Sequence, residues 1–258
     1  MKVVILAGGL GSRLSEETIV KPKPMVEIGG KPILWHIMKL YERYGYNDFI
    51  ICLGYKGHLI KEYFINYYLY NSDITVELKN NKLQVHYSSS ESFAVTLVDT
   101  GESTNTAGRI KKIRKYLKDE TFMLTYGDGV SDVNIGELVK FHKSHGRYVT
   151  LTSIQMPGRF GTLLTNTEGL VIDFKEKYVG DDVWINGGFF VMEPAIFNYL
   201  EGDMEDVQWE KQPLIQIAND EQLTAFRYGG FWKCMDAMRD KIELEELWQS
   251  GEAPWKTW

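Results

Sequence analysis

The sequence predicts an α/β fold: a mixed, mostly parallel central sheet with helices on both faces, and a smaller strand-rich part in the second half. Two observations carry this. Short apolar runs rich in Val and Ile alternate with stretches of helical periodicity through residues 1–153, the rhythm of βαβ units. Beyond that point strand-like segments and turn signals dominate. The 258 residues suffice for a well-buried core. No internal repeat, low-complexity segment or Pro/Ser-rich linker divides them, so one domain spanning 1–258 is expected.

The elements follow in order. Residues 2–7 form an apolar first strand that ends in glycines. Residues 33–44 place apolar side chains at helical spacing. Residues 48–53 read as a buried strand stopped by Gly54, and 58–68 as a helix. Residues 95–99 and 122–125 are strands, with a basic helix over 107–117 between them. A helix over 135–145 precedes an extended 148–153. Residues 162–164 and 171–175 flank Asn166-Thr167-Glu168-Gly169 and read as a hairpin. Strands over 184–192 and 224–228 and a closing helix over 238–249 complete the chain.

Composition narrows the function. Hydrophobic residues make up 44% and charged residues 25%, ordinary for a water-soluble chain. No apolar run reaches the roughly 20 residues that span a bilayer, so no membrane partner is expected. The start reads as a strand, not a leader peptide. With only Cys52 and Cys234, a disulfide framework is not indicated and a reducing cytoplasm is the expected setting. The net charge is −6 and no Lys/Arg-rich stripe is present, so nucleic acid is not an expected partner. An acidic chain that binds a polyanion must gather its cations locally or borrow metal ions.

Leu6-Ala7-Gly8-Gly9-Leu10-Gly11-Ser12-Arg13-Leu14 follows the first strand. Glycines there let the backbone approach a ligand and present N–H groups to phosphate oxygens. The pattern is not a P-loop, because Gly-Lys-Ser/Thr is absent. It is not the dinucleotide fingerprint, because Leu14 stands where a third Gly or Ala belongs. Downstream, Lys21-Pro22-Lys23-Pro24-Met25 sets each lysine before a proline, which biases both toward extended backbone. Asp128 lies between glycines just past a predicted strand end, where α/β folds place ligand sites. From that segment alone it reads equally as a turn aspartate. Asp236, taken alone, reads as a cap for the helix beginning near Met238.

The glycine-rich loop followed by Lys21-Pro22-Lys23-Pro24-Met25 resembles the signature of the sugar-1-phosphate nucleotidyltransferases, with Ser12 where Thr is usual. The resemblance runs along nearly the whole chain. It is closest to the cytidylyl branch, through Gly30-Lys31-Pro32-Ile33-Leu34-Trp35-His36, Thr96-Leu97-Val98-Asp99-Thr100-Gly101, Tyr126-Gly127-Asp128-Gly129-Val130, Pro157-Gly158-Arg159-Phe160-Gly161, Ile185-Asn186-Gly187-Gly188-Phe189-Phe190-Val191 and Ala253-Pro254-Trp255-Lys256-Thr257-Trp258. It implies transfer of CMP from CTP to glucose 1-phosphate, giving CDP-glucose and pyrophosphate with Mg²⁺ as cofactor. The alternative is a relative that uses UTP, TTP or GTP.

The resemblance also implies roles. Residues 1–130 serve mainly the nucleotide, and 131–258 mainly the sugar and oligomer contacts. Leu6, Ala7, Gly8, Gly9, Leu10, Gly11, Ser12, Arg13, Lys23, Thr104, Thr106, Gly108, Arg109, Gly127 and Asp128 are nucleotide-binding candidates. Arg109 is expected to donate to a pyrimidine carbonyl. Lys23, Arg13 and Asp128 are catalytic candidates, and Asp128 with Asp236 the Mg²⁺ ligands. Arg159, Gly161, Glu176, Lys177, Asn186 and Gly187 are candidates for the sugar phosphate. Tyr178 stands where proline is usual after Glu-Lys, and residues 88–93 depart from the branch. An aromatic tail, 248–258, suits a homo-oligomer interface, and the resemblance suggests a hexamer or another multiple.

Overall fold

The computed structural model describes residues 1–155, 162–165, 170–175 and 184–258. Among these, seven strands form one sheet: β1 (Val3–Ala7), β2 (Asp48–Leu53), β3 (Ala94–Asp99), β4 (Phe122–Tyr126), β5 (Val149–Ile154), β6 (Ile185–Met192) and β7 (Leu223–Tyr228), in the order β7-β5-β6-β4-β1-β2-β3. β4, β1, β2 and β3 run parallel, as do β5 and β7. Only β6 is antiparallel to both neighbours. The expected mixed, mostly parallel sheet is therefore what forms.

β1 is apolar at every position because both its faces are covered. Val3, Ile5 and Ala7 join one buried cluster with Ile33, Ile37 and Tyr41. Val4 and Leu6 join the other with Ile110, Phe190 and Trp209. Besides a single α-helical turn at Ser15–Thr18, the α-helices of the described residues are α1 (Ile33–Glu42), α2 (Gly57–Tyr70), α3 (Thr106–Lys112), α4 (Ile135–His145), α5 (Gln212–Asn219) and α6 (Met238–Gln249). In α1 the buried Ile33, Leu34, Ile37, Met38, Leu40 and Tyr41 recur at helical spacing.

The predicted helix over 107–117 is corrected. α3 ends at Lys112 and the chain tightens into a 3₁₀ turn, Arg114–Tyr116, that keeps Ile113 and Leu117 in the core. The hairpin Ser72–Glu77/Lys82–Ser88 was not expected. Its residues are mostly exposed, so it lacks the buried alternation that marks a strand in sequence. The expected pair Thr162–Thr165 and Val171–Lys175 does form an antiparallel hairpin.

The aromatic tail, which suits an oligomer interface by its sequence, packs inward. Trp255 is buried and its Nε1 donates to His36 Nδ1 at 3.3 Å, while His36 Nε2 donates to Ile28 O at 2.8 Å. Rings of Trp35, Trp248 and Trp258 close around the imidazole. Burial pushes the His36 pKa down to about 4, from an unfolded value near 6.5. The folded state therefore binds fewer protons between pH 4 and 6.5. His36 costs nothing above pH 6.5, and stability falls as pH drops from 6.5 toward 4. At pH 5 this loss is about 2 kcal/mol. Urea unfolding at pH 7 and pH 5 is expected to show it in the wild type and not in His36→Gln. An equal pH dependence in both proteins would refute the assignment.

Candidate active site

The carboxyl ends of β1 and β4 open into a cavity of about 310 Å³. Its lining includes Leu6, Ala7, Gly8, Gly9, Gly11, Ser12 and Arg13 from the first loop, and Lys23 with Pro24 from the second. Thr104, Thr106 and Arg109 close one wall, Tyr126, Gly127 and Asp128 another, and Asp236 arrives from the far end of the sequence. Gly11 takes a left-handed φ of 65°, and nothing lies within 4 Å of where a Cβ on Gly9 would stand. A ligand can lie directly against that backbone.

Lys23 and two carboxylates form the centre. Lys23 Nζ lies 2.6 Å from Asp128 Oδ2 and 2.6 Å from Asp236 Oδ1. Arg13 Nη1 lies 3.0 Å from Asp236 Oδ2. Proline fixes the local chain: Lys23 begins a 3₁₀ turn with Pro24 inside it. Burial alone would lower the lysine pKa, but the Asp128 charge and the bonds to both aspartates hold it above its ordinary value. Burial opposes ionisation of Asp236 too, and Lys23 with Arg13 outweighs it, so its carboxyl sits below the usual range. Asp236 does not cap α6. That role falls to Asp240, whose Oδ2 accepts from the N–H groups of Asp236 and Ala237 at 3.0 and 2.9 Å.

The same carboxylates fit a divalent cation. Asp128, Cys234 and Asp236 each place one ligand atom within 4.8 Å of the others, and the lysine ammonium already shows that the spot between them favours positive charge. Burial, and then the charge of Asp128, push the Cys234 thiol up. A hard cation prefers oxygen to sulfur, which leaves the two carboxylates as its ligands.

Other candidates are placed differently. Arg109 is 4% exposed and its guanidinium donates to five acceptors of the chain: Leu53 O, Thr100 Oγ1, Gly101 O, Gly8 O and Glu102 O. It ties the glycine loop to the ends of β2 and β3. Two glycines make room for it, since a Cβ on Gly8 would sit 2.2 Å and one on Gly54 2.6 Å from its guanidinium. Gly108 faces the Met204 carbonyl, and Leu10 is 60% exposed; neither lines the cavity. Asn186 Oδ1 accepts from Gly188 N at 2.8 Å and its Nδ2 donates to Tyr126 Oη at 3.3 Å. Gly187 lies against Thr152 O and accepts from Trp232 Nε1. Arg159, Gly161, Glu176, Lys177 and Tyr178 lie outside the described residues. Glu205 and Glu210 escaped the sequence reading. They hydrogen-bond Thr104 and Thr106 from about a hundred residues away, and no local pattern marks them.

Residues 2–232 match the family model of nucleotidyl transferases. The chain belongs to the nucleotidyl transferase family. It is 56% identical over 259 residues to the glucose-1-phosphate cytidylyltransferase of Salmonella typhimurium, with both chains fully covered. It is 44% identical, again over the full length of both, to a probable glucose-1-phosphate cytidylyltransferase of Bacillus subtilis. Among solved structures, HddC from Yersinia pseudotuberculosis superposes with a TM-score of 0.68 at 24% identity, covering 96% of this chain and 99% of that one. A UDP-glucose pyrophosphorylase complexed with UDP-glucose gives 0.68 at 16%, covering 97% and 98%. These two show that the nucleotidyl transferase shares their fold. No helix of the described residues is long and apolar enough to cross a membrane.

Proposed function

We propose that the chain transfers CMP from CTP to glucose 1-phosphate, releasing pyrophosphate and forming CDP-glucose. Full-length identity to the cytidylyltransferases supports the substrates. The observation that carries the chemistry is Lys23 held between Asp128 and Asp236 beside the glycine loop.

A phosphate oxygen of glucose 1-phosphate attacks the α-phosphorus of CTP in line. The new P–O bond forms as the bond to the β-phosphate oxygen breaks, and the electron pair leaves with pyrophosphate. Both reactants are anions, so positioning and charge neutralisation dominate and no covalent enzyme intermediate is needed. Backbone N–H groups of Gly8, Gly9, Gly11 and Ser12 hold the triphosphate. Arg13 pairs with the departing pyrophosphate, and Lys23 stabilises the charge that develops on the α-phosphate. Asp128 and Asp236 would hold Mg²⁺, which supplies positive charge against the phosphate oxygens. Asn186 and Gly187, with Arg159, Gly161, Glu176 and Lys177, take the sugar phosphate. The chain works as one domain, its first half serving the nucleotide.

Incubation with Mg²⁺, glucose 1-phosphate and each of CTP, UTP, TTP and GTP tests this by pyrophosphate release. CTP is expected to lead. No release with any triphosphate would end the proposal, and a lead for UTP, TTP or GTP would transfer it to that nucleotide.

A homo-oligomer is also proposed, on new grounds now that the aromatic tail is packed. Ile65, Tyr68 and Tyr70 of α2 are exposed, as are Val76, Leu83 and Tyr87 of the hairpin that contacts this helix, and exposed apolar side chains gathered on neighbouring elements suit a subunit contact. Light scattering at micromolar concentration is expected to give a multiple of 29.8 kDa. A monomer would contradict it.

A further inference from the structure

Three hydroxyls on the cavity wall have their protons turned away from the cavity. Thr104 Oγ1 donates to Glu205 Oε2 at 2.6 Å, and Thr106 Oγ1 donates to Glu210 Oε2 at 2.9 Å. Tyr126 Oη donates to Glu210 Oε1. A carboxylate only accepts, and a hydroxyl has one proton and two lone pairs. Each of these oxygens also accepts once from the chain: Thr104 from Lys112 Nζ at 3.2 Å, Thr106 from Trp209 N at 2.7 Å, and Tyr126 from Asn186 Nδ2 at 3.3 Å. Each is left with one acceptor position and no proton to offer.

The glutamates are held in register. The Glu205 and Val207 carbonyls accept from Asn105 N and Ala107 N at 2.7 and 3.1 Å, so the 204–210 segment is laced to the start of α3. Hydrogen bonds from Lys112 and then Thr104 hold the Glu205 carboxyl below its ordinary range, which keeps it an acceptor. Both nearby cations are engaged: the Arg109 guanidinium with carbonyls and a hydroxyl of the chain itself, and the Lys112 ammonium with Glu205 and Thr100 O besides Thr104.

We infer that Glu205 and Glu210 are positioning residues that select the base, by fixing the Thr104 and Thr106 hydroxyls as paired acceptors for the two hydrogens of a 4-amino pyrimidine. A 4-oxo pyrimidine in the same place sets a third acceptor against two others and leaves all three unpaired, which is how a polar site rejects a near-isosteric ligand. The inference rests on the proposed seat of the nucleotide in this cavity.

Glu205→Gln and Glu210→Gln test it. A carboxamide can turn its NH₂ toward the threonine, and the hydroxyl proton then points into the cavity. The ratio of kcat/KM for CTP over UTP is expected to fall about tenfold in each variant, the worth of one hydrogen bond. The KM for glucose 1-phosphate is expected to stay within about twofold. Equal losses on CTP and UTP would overturn the inference and make the glutamates structural, and so would a change confined to glucose 1-phosphate. The Glu205 side chain is about half exposed, so Glu205→Gln keeps the test open if Glu210→Gln unfolds. Hydrogen exchange of the wild type with CTP separates the two levels. Protection of 104–109 with an unchanged ratio refutes the polarity alone. No protection there refutes the seat of the nucleotide and the inference with it.

Discussion

Lys23→Ala is expected to lower kcat/KM for CTP by about a thousandfold while the protein stays folded. The magnitude follows from removing one preorganised cationic donor aimed at developing charge in a partly dry site. Lys23 is 12% exposed and touches both carboxylates. It is placed to neutralise an incoming phosphate as soon as a cation or substrate draws the aspartates away. Its loss also leaves Asp128 and Asp236 facing each other without the ammonium between them, a like-charge arrangement that costs free energy. The folded state is expected to survive, because the glycine loop, Pro24 and the sheet ends are held by other contacts. Steady-state kinetics with CTP and glucose 1-phosphate, alongside circular dichroism, checks this. Turnover within tenfold of wild type would remove Lys23 from the mechanism.

Arg109→Met is expected to destabilise the protein by about 3 kcal/mol, the cost of leaving buried carbonyls without their charged donor. The variant leaves Gly101 O and Glu102 O without their donor and removes one bond each from Thr100 Oγ1, from Leu53 O, which keeps Thr100 N and Oγ1, and from Gly8 O, which keeps Tyr55 N, and each acceptor left unpaired carries its own penalty. Because Gly8 belongs to the phosphate loop, CTP affinity should fall along with stability. Gly8→Ala approaches the same network from the other side, since its Cβ would sit 2.2 Å from the guanidinium. Urea unfolding measures both variants. A change under about 1 kcal/mol in Arg109→Met, the ordinary range for a surface substitution, would show that the network does not hold the loop.

Much of the fold was legible because its signals are local. β2 runs over the predicted 48–53, α4 over 135–145 and α6 over 238–249. Each is a strongly patterned segment with a clear stop, such as Gly54 after β2 or Gly146 in left-handed conformation after α4. The exposed hairpin after α2 was illegible for the opposite reason: neither face is buried. The site divides in the same way. Gly8, Gly9, Gly11 and Lys23 sit close in sequence, and their spacing states their chemistry. Asp236 was reachable only through resemblance, because its partner Lys23 lies 213 residues away. Glu205 and Glu210 were not reachable at all. The role of Arg109 was read by residue type, as a donor for a ligand, whereas the fold surrounds it with carbonyls of its own chain. Which acceptor an arginine meets is decided by the packing of β2, β3 and the glycine loop, and periodicity does not encode it.

A crystal structure with CTP tests the central claim most directly. The account predicts triphosphate oxygens within hydrogen-bond distance of the Gly9–Ser12 backbone, with Lys23 Nζ drawn from Asp128 and Asp236 toward the α-phosphate. Phosphates bound elsewhere, with Lys23 still clamped between the two carboxylates, would contradict it.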